Sequence, residues 1–217
     1  MRIHADLSLP AIVTPDDYRW VASPQAGVTR MMLDCVGDEC ARATSIVRYA
    51  PGSIFPRHAH PGGEEILVLS GTFSDDSGDH PAGSYLRHPS DSCHAPSSAQ
   101  GATIFVKLRQ MSPMDARRVR IDTKDPGNWS SIDGGAVCAL HEHDGERVAL
   151  RRLPAGQVLE YDRSMLVEIL ILVGELCEQD RRFPAGSWLR LPAGHHDGFR
   201  AGDAGLTAYI KTGHPPC

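Results

Sequence analysis

Three blocks of this chain occur twice, in the same order, about a hundred residues apart. Glu65–Gly71 (EILVLSG) matches Glu168–Gly174 (EILILVG), and His80–Asp91 (HPAGSYLRHPSD) matches Phe183–Gly194 (FPAGSWLRLPAG). Gly101–Lys107 (GATIFVK) matches Gly205–Lys211 (GLTAYIK). Matches at a near-constant offset make the chain two copies of one module. Any fold must therefore form from about half of the 217 residues and accept a second copy of itself.

The apolar runs are short, rich in Ile, Val, Leu and aromatic residues, and separated by Pro-Gly, Gly-Gly, Ser-Gly and Ala-Gly. That pattern reads as strands with turns between them. Thr44–Tyr49, Glu65–Leu69, Ser84–Arg87 and Thr103–Leu108 are strands on this reading. The 21 Gly and 16 Pro also favour short strands over long helices. The fold class expected is all-β, with two antiparallel sandwiches or barrels in one chain. Ile66 and Val68 share one strand face and Leu67 and Leu69 the other, so both faces require cover. Asp16–Val21 could form a short helix, and Met111–Asp133 reads as the linker.

With a net charge of −5 and scattered Arg residues, there is no basic footprint for nucleic acid. The longest apolar run, Ile169–Val173, is far too short to cross a membrane as a helix. The first residues carry no apolar core of a secretory signal. The six cysteines form no Cys-x-x-Cys pair and no disulfide framework, so a reduced, cytoplasmic chain is expected.

Chemistry concentrates in Pro51–Gly71. His58 and His60 are two apart, so on a strand both imidazoles face the same way. Pro61-Gly62-Gly63 turns the chain, and Glu64 opens the returning strand opposite them. His94 follows the turn Pro89–Ser92. Three imidazoles and a carboxylate suit Zn, Fe(II), Ni, Mn or Cu(II). A divalent ion with Glu64 leaves net positive charge, able to attract an anionic ligand or acidify bound water. Cys93 alternates away from His94 and reads as a buried, inert thiol. His80 and His88 read as polar surface or cavity-rim groups, Glu65 as an outward-facing salt-bridge partner. His141-Glu142-His143 precedes Asp144-Gly145 and reads as an exposed hairpin end, and His195-His196 as an exposed loop.

The spacing Gly52, His58, His60, Glu64, Gly71 resembles the first cupin motif, and Gly83, Pro89, His94 the second. Over Ala43–Gln110 the sequence is similar to the ChrR-type cupin family. This resemblance implies a bicupin of two antiparallel jelly-roll (double-stranded β-helix) barrels. It divides the chain into a metal-binding module at 1–117 and a second, degenerate module at 118–217. It also implies that His58, His60, Glu64 and His94 ligate one divalent transition metal, Zn first and Fe(II) next, with Ni and Mn as further candidates. Family members include the cupin part of a zinc anti-sigma factor that answers singlet oxygen, and oxygenases of small diketones or hydroxyketones.

Three departures stand out. His88 replaces the family's usual Asn. Ser90-Asp91 replaces its Pro-Gly, so Asp91 should adopt a positive φ. The anti-sigma motif His-x-x-x-Cys-x-x-Cys has no counterpart here, Cys35 and Cys40 being poorly spaced for it. Binding to an extracytoplasmic-function sigma factor in the regulator's manner is therefore not expected. In the second copy Asp162, Ser164, Val167 and Asp197 fall opposite His58, His60, Glu64 and His94, so that copy has lost the site. Glu168, next to Val167, could restore a carboxylate only by a register change.

Two functions fit this ligand set. One is a small-molecule or oxidative-stress sensing regulator lacking the anti-sigma domain. The other is a metal-dependent dioxygenase, which needs a further acid or base that the sequence does not identify. A small molecule bound at the metal and a homodimer are the expected partners, with no nucleic acid and no membrane.

Overall fold

A computed structural model describes residues 2–37, 42–194 and 198–213. Cys40, His195, His196, Asp197 and Cys217 lie outside the described residues. The structure is almost entirely β, with two short 3-10 turns, Pro15–Asp17 and Pro126–Asn128. Among the described residues, no helix is long and apolar enough to cross a membrane. Cys93, Cys138 and Cys177 are free thiols.

The chain forms two compact units, each an antiparallel jelly roll. One comprises Met1–Ala5 with Arg19–Lys124, the other Asp6–Tyr18 with Asp125–Cys217. In the first, the large sheet runs Val119–Asp122, Ser84–His88, Glu64–Asp75, Ala102–Leu108, Arg42–Tyr49, Val28–Val36, Val21–Ala22. In the second, it runs Ala11–Val13, Trp188–Leu191, Val167–Glu178, Arg200–Thr212, Glu146–Leu153, Gly135–His143, Ser130–Ile132. The expected strands are all present and extend further than the apolar runs alone indicate.

The repeat also reaches further upstream than its three matching blocks. Each copy opens with an edge strand, a Pro-led 3-10 turn and a Trp. In both copies an Arg on the third strand after that Trp lies over it: Arg48 over Trp20 at 3.7 Å and Arg152 over Trp129 at 4.2 Å from the ring centroid. Residues 111–133 are thus not a plain linker; they contain Val119–Asp122, Pro126–Asn128 and Ser130–Ile132. The two opening strands are exchanged. Ala11–Val13, ahead of the first repeat, pairs with Trp188–Leu191, while Val119–Asp122, ahead of the second, pairs with Ser84–His88.

The exchange makes the second unit depend on residues near the N-terminus. Ile12 packs on its apolar core, the Tyr18 hydroxyl donates to Gly186 O at 2.6 Å, and Arg190 donates to Asp6 O at 3.0 Å. Ile12→Ala should therefore cost about 1–2 kcal/mol, below the full-burial range because Ile12 is partly exposed. Hydrogen exchange should quicken in Val167–Glu178 and Arg200–Thr212 but not in Glu64–Asp75. Faster exchange in Glu64–Asp75 instead would contradict the exchanged pairing.

Inside each barrel the strands alternate as period two requires. In the first unit Val47, Tyr49, Ile66, Val68, Leu86, Ile104 and Val106 form one buried cluster. The second fills its interior with Leu153, Val167, Ile169, Ile171, Leu189, Leu191 and others. Gly71 and Gly174 hold equivalent positions at φ 70° and 76°. A Cβ at either would collide with the carbonyl oxygen of Gly101 or Gly205, so the glycine is required for close strand approach.

The other sheet face carries a buried charge row that the sequence reading did not anticipate. Glu65 is 2% exposed rather than outward-facing, with Arg87 and Lys107 as its cross-strand neighbours, both also buried. The second unit repeats the row as Glu168, Arg190 and Lys211.

Candidate metal centre

Glu64, Ile66 and Val68 share a strand face, so the inner apolar stripe ends in a carboxylate at the barrel mouth. His58–His60 pairs antiparallel with Ser92–His94, setting His58 opposite His94 and His60 opposite Ser92. The turn between Ser84–His88 and Ser92–His94 holds Asp91 at φ 64°, as its sequence position requires. Asp91 N donates to His60 O at 3.1 Å and Gly62 N to Ser90 Oγ at 3.1 Å, tying the two turns together.

The four sequence-derived residues converge. His60 Nε2 and His94 Nε2 are 2.8 Å apart, and Glu64 Oε2 lies 3.4 Å and 3.3 Å from them. The His58 ring centroid is 4.6 Å from His60 and 5.4 Å from His94. His60, Glu64 and His94 are buried and His58 is half-buried at the rim. Ligands about 2.1 Å from a Zn-like ion stand roughly 3.0 Å apart at right angles and roughly 3.4 Å apart at tetrahedral angles. The spacings of His60, Glu64 and His94 match that shell, and the His58 donor lies within 4.8 Å of those of His60 and His94.

Hydrogen bonds set the lone pairs. His58 Nδ1 lies 2.7 Å from Pro56 O. A carbonyl only accepts, so Nδ1 carries the proton and Nε2 the lone pair. His94 Nδ1 lies 3.2 Å from Asp75 Oδ2, which likewise leaves its Nε2 as donor toward the site. Burial pushes His60 down to about 4 against the pull of Glu64, so its imidazole is neutral near pH 7, as ligation requires. Burial alone would raise Glu64, but His88, His60 and His94 hold it below the usual carboxylate value. Burial, then the Glu64 charge, pushes the Tyr49 phenol upward.

Two residues at the site were not read from the sequence as part of it. Asp75 gathers three histidines: His94, His80 through Nε2 at 3.1 Å, and His88 through Nε2 at 3.6 Å. Burial opposes its ionisation, yet bonds from His80, His94 and Ser77 hold the carboxyl far below its ordinary value. His88 is the other. It stands directly across the strand pair from Glu64, with Nδ1 3.3 Å from Glu64 Oε2. His80 and His88 are 0% and 6% exposed, so neither is a surface group. Cys93 does point away from His94, but it is exposed, not buried.

Among the described residues, the second unit does not reproduce the centre. Val167 pairs with Leu191 at the register where Glu64 pairs with His88, and both are buried in the apolar core. Glu168 keeps the place of Glu65 and accepts from Trp188 Nε1 at 2.7 Å, so no register change restores a ligand. Asp162 and Ser164, opposite His58 and His60, form an exposed turn in which Ser164 N donates to Asp162 Oδ1 at 2.9 Å. Glu142 is exposed at its hairpin end, as expected, whereas His141 is 8% exposed. Among the described residues, the groups able to hold a metal are His58–His60–His94 and Glu64–His88–His94, both in the first unit.

Two barrels, one bearing an imidazole and carboxylate cluster at its mouth, define a two-domain cupin. The chain belongs to the ChrR cupin-like domain family, whose model matches residues 9–112 and again 116–216. No curated protein matches the sequence. Among solved structures, a candidate dioxygenase from Nostoc punctiforme PCC 73102 aligns with TM-score 0.74 at 16% identity, covering 98% of this chain and 82% of that one. Protein Ylba from Escherichia coli aligns with TM-score 0.74 at 16% identity over 100% and 95%. The bacterial pirin YhhW from Escherichia coli, in complex with nickel(II), aligns with TM-score 0.68 at 13% identity over 96% and 100%. At these identities the likeness is one of fold.

Proposed function

We propose that the first barrel holds one divalent transition metal through His58, His60, Glu64 and His94, and that the second barrel is a metal-free partner. The observation that carries this is the mutual spacing of His60 Nε2, His94 Nε2 and Glu64 Oε2, 2.8–3.4 Å. Zn is the first candidate ion and Fe(II) the second. When bound, such an ion supplies Lewis acidity and a seat for an oxygen-bearing ligand. The chain's own groups orient that seat: Asp75 fixes the His94 tautomer, Pro56 O fixes His58, and buried apolar walls exclude water from the inner side.

The role proposed is sensing: a small oxygen-bearing molecule or an oxidant acts at the metal, and the barrel reports it to a partner. Family membership across both halves supports this reading. A second reading, a metal-dependent dioxygenase of a small diketone or hydroxyketone, is favoured by one observation. His88 places a titratable side chain beside Glu64, where a catalyst needs one.

Elemental analysis of protein purified without added metal should give close to one equivalent per chain. His58→Ala and His94→Ala should lose it while keeping the β-sheet circular dichroism of the parent. Two equivalents that survive mild chelation would refute the metal-free second barrel. Oxygen uptake with a panel of diketones decides between the roles: none above background supports the sensor, and stoichiometric consumption replaces it with the oxygenase.

A further inference from the structure

We infer that His88 is a fifth protein donor to the ion, giving a centre of four imidazoles and one carboxylate. The inference rests on the metal-centre reading above and changes its composition. His88 is buried, and strand register, not loop geometry, sets it opposite Glu64. Its Nδ1 lies 3.3 Å from Glu64 Oε2, the same oxygen that His60 Nε2 and His94 Nε2 approach at 3.4 Å and 3.3 Å. Its ring meets that of His94 edge-on, at 4.9 Å between centroids and 76° between planes. The donor atoms of Glu64, His88 and His94 fall within 4.8 Å of one another, as do those of His58, His60 and His94. His94 belongs to both triads, and one oxygen of Glu64 is shared by its three imidazole neighbours. An ion seated between Glu64 and His94 adjoins both triads.

The far side of the ring supports the same assignment. His88 Nε2 faces Asp75 Oδ2 at 3.6 Å, and Asp75 is held ionised by His80 and His94. An acceptor there draws the imidazole proton to Nε2 and turns the Nδ1 lone pair to the site. A lone pair facing a carboxylate oxygen is repulsive unless a cation sits between them. The repeat adds a negative image: in the second unit Leu191 holds this inward position and Val167 that of Glu64. A set this rich in imidazole suits late first-row divalent ions such as Zn, Ni, Cu or Co.

The test is Co(II) bound to the full chain. In the wild type, hyperfine-shifted proton resonances that vanish in D2O count the coordinated imidazole N–H groups. Four are expected, and three would overturn the inference. His88→Asn supplies an independent check, because its amide N–H can still donate to Glu64 but offers no imidazole lone pair. Co(II) affinity should fall by about 10–100-fold and the visible bands should intensify as one donor is lost. Unchanged affinity and spectrum in His88→Asn would reduce His88 to a hydrogen-bond donor while leaving the metal centre intact. Failure of the wild type to bind Co(II) at all would overturn the metal centre itself, and this inference with it.

Discussion

Glu64→Val combined with His88→Leu should weaken metal binding at least about a hundredfold and leave the metal-free protein at least as stable as the parent. The second unit supplies the template. Val167 and Leu191 pair there at the register of Glu64 and His88, on the corresponding strands, and both are buried in the apolar core. The double substitution therefore places in the first barrel a pair that the fold already accommodates. Glu64 and His88 are 6% exposed each, so without an ion they are polar groups held from water. Replacing buried polar pairs by packed apolar side chains is often neutral or stabilising by about 1–4 kcal/mol. A site of several ligands binds with about 10–16 kcal/mol, so losing one or two donors should weaken affinity at least about a hundredfold. Chelator competition measures the loss, and thermal unfolding in excess chelator measures stability. A metal-free double variant that melts well below the parent would show that the two barrels do not share interior packing.

The part of the centre that follows local rules was legible in the sequence. His58 and His60 needed only the two-residue period of a strand, Glu64 a turn after them, and His94 a turn before it. Asp91 at positive φ was legible for the same reason, since a turn constrains its own residues. His88 and Asp75 depend on register and strand length instead. Glu64 meets His88 only because two strands pair in one register, which nothing local specifies. Asp75 reaches the site because its strand runs from Glu64 to Asp75, past Gly71, where the apolar run had already stopped. The repeat did hold a hint for His88: its counterpart is Leu191, a core residue. The exchanged opening strands were hidden for another reason. Their sequences have diverged, leaving only a proline and a tryptophan in common.

Arg87→Met should destabilise the first unit by about 3–5 kcal/mol, the range for removing one partner of a buried ion pair. Arg87 is 0% exposed and donates to Glu65 Oε2 at 3.3 Å and Asp115 Oδ2 at 3.4 Å. Met fills much of the same volume, so the cost is electrostatic: two buried carboxylates lose a shared cation, although Arg117 Nε still donates to Asp115 Oδ1 at 3.0 Å. Lys107 Nζ, on the neighbouring strand, donates to the Thr44 hydroxyl at 2.9 Å. The charge, rather than the shape, can be tested in two ways. Adding Glu65→Gln and Asp115→Asn to Arg87→Met should recover most of the loss, because no uncompensated charge remains. Lowering the pH into the carboxylate range should also narrow the gap between Arg87→Met and the parent. Protonation removes the buried negative charge in the variant, whereas in the parent it breaks a satisfied pair. Urea unfolding of the metal-free protein at neutral and mildly acidic pH measures both effects. A deficit that is independent of pH and persists in the triple variant would assign the role of Arg87 to packing. The equivalent residue, Arg190, has Glu168 as its strand neighbour at the same register, so Arg190→Met should weaken the second unit as well.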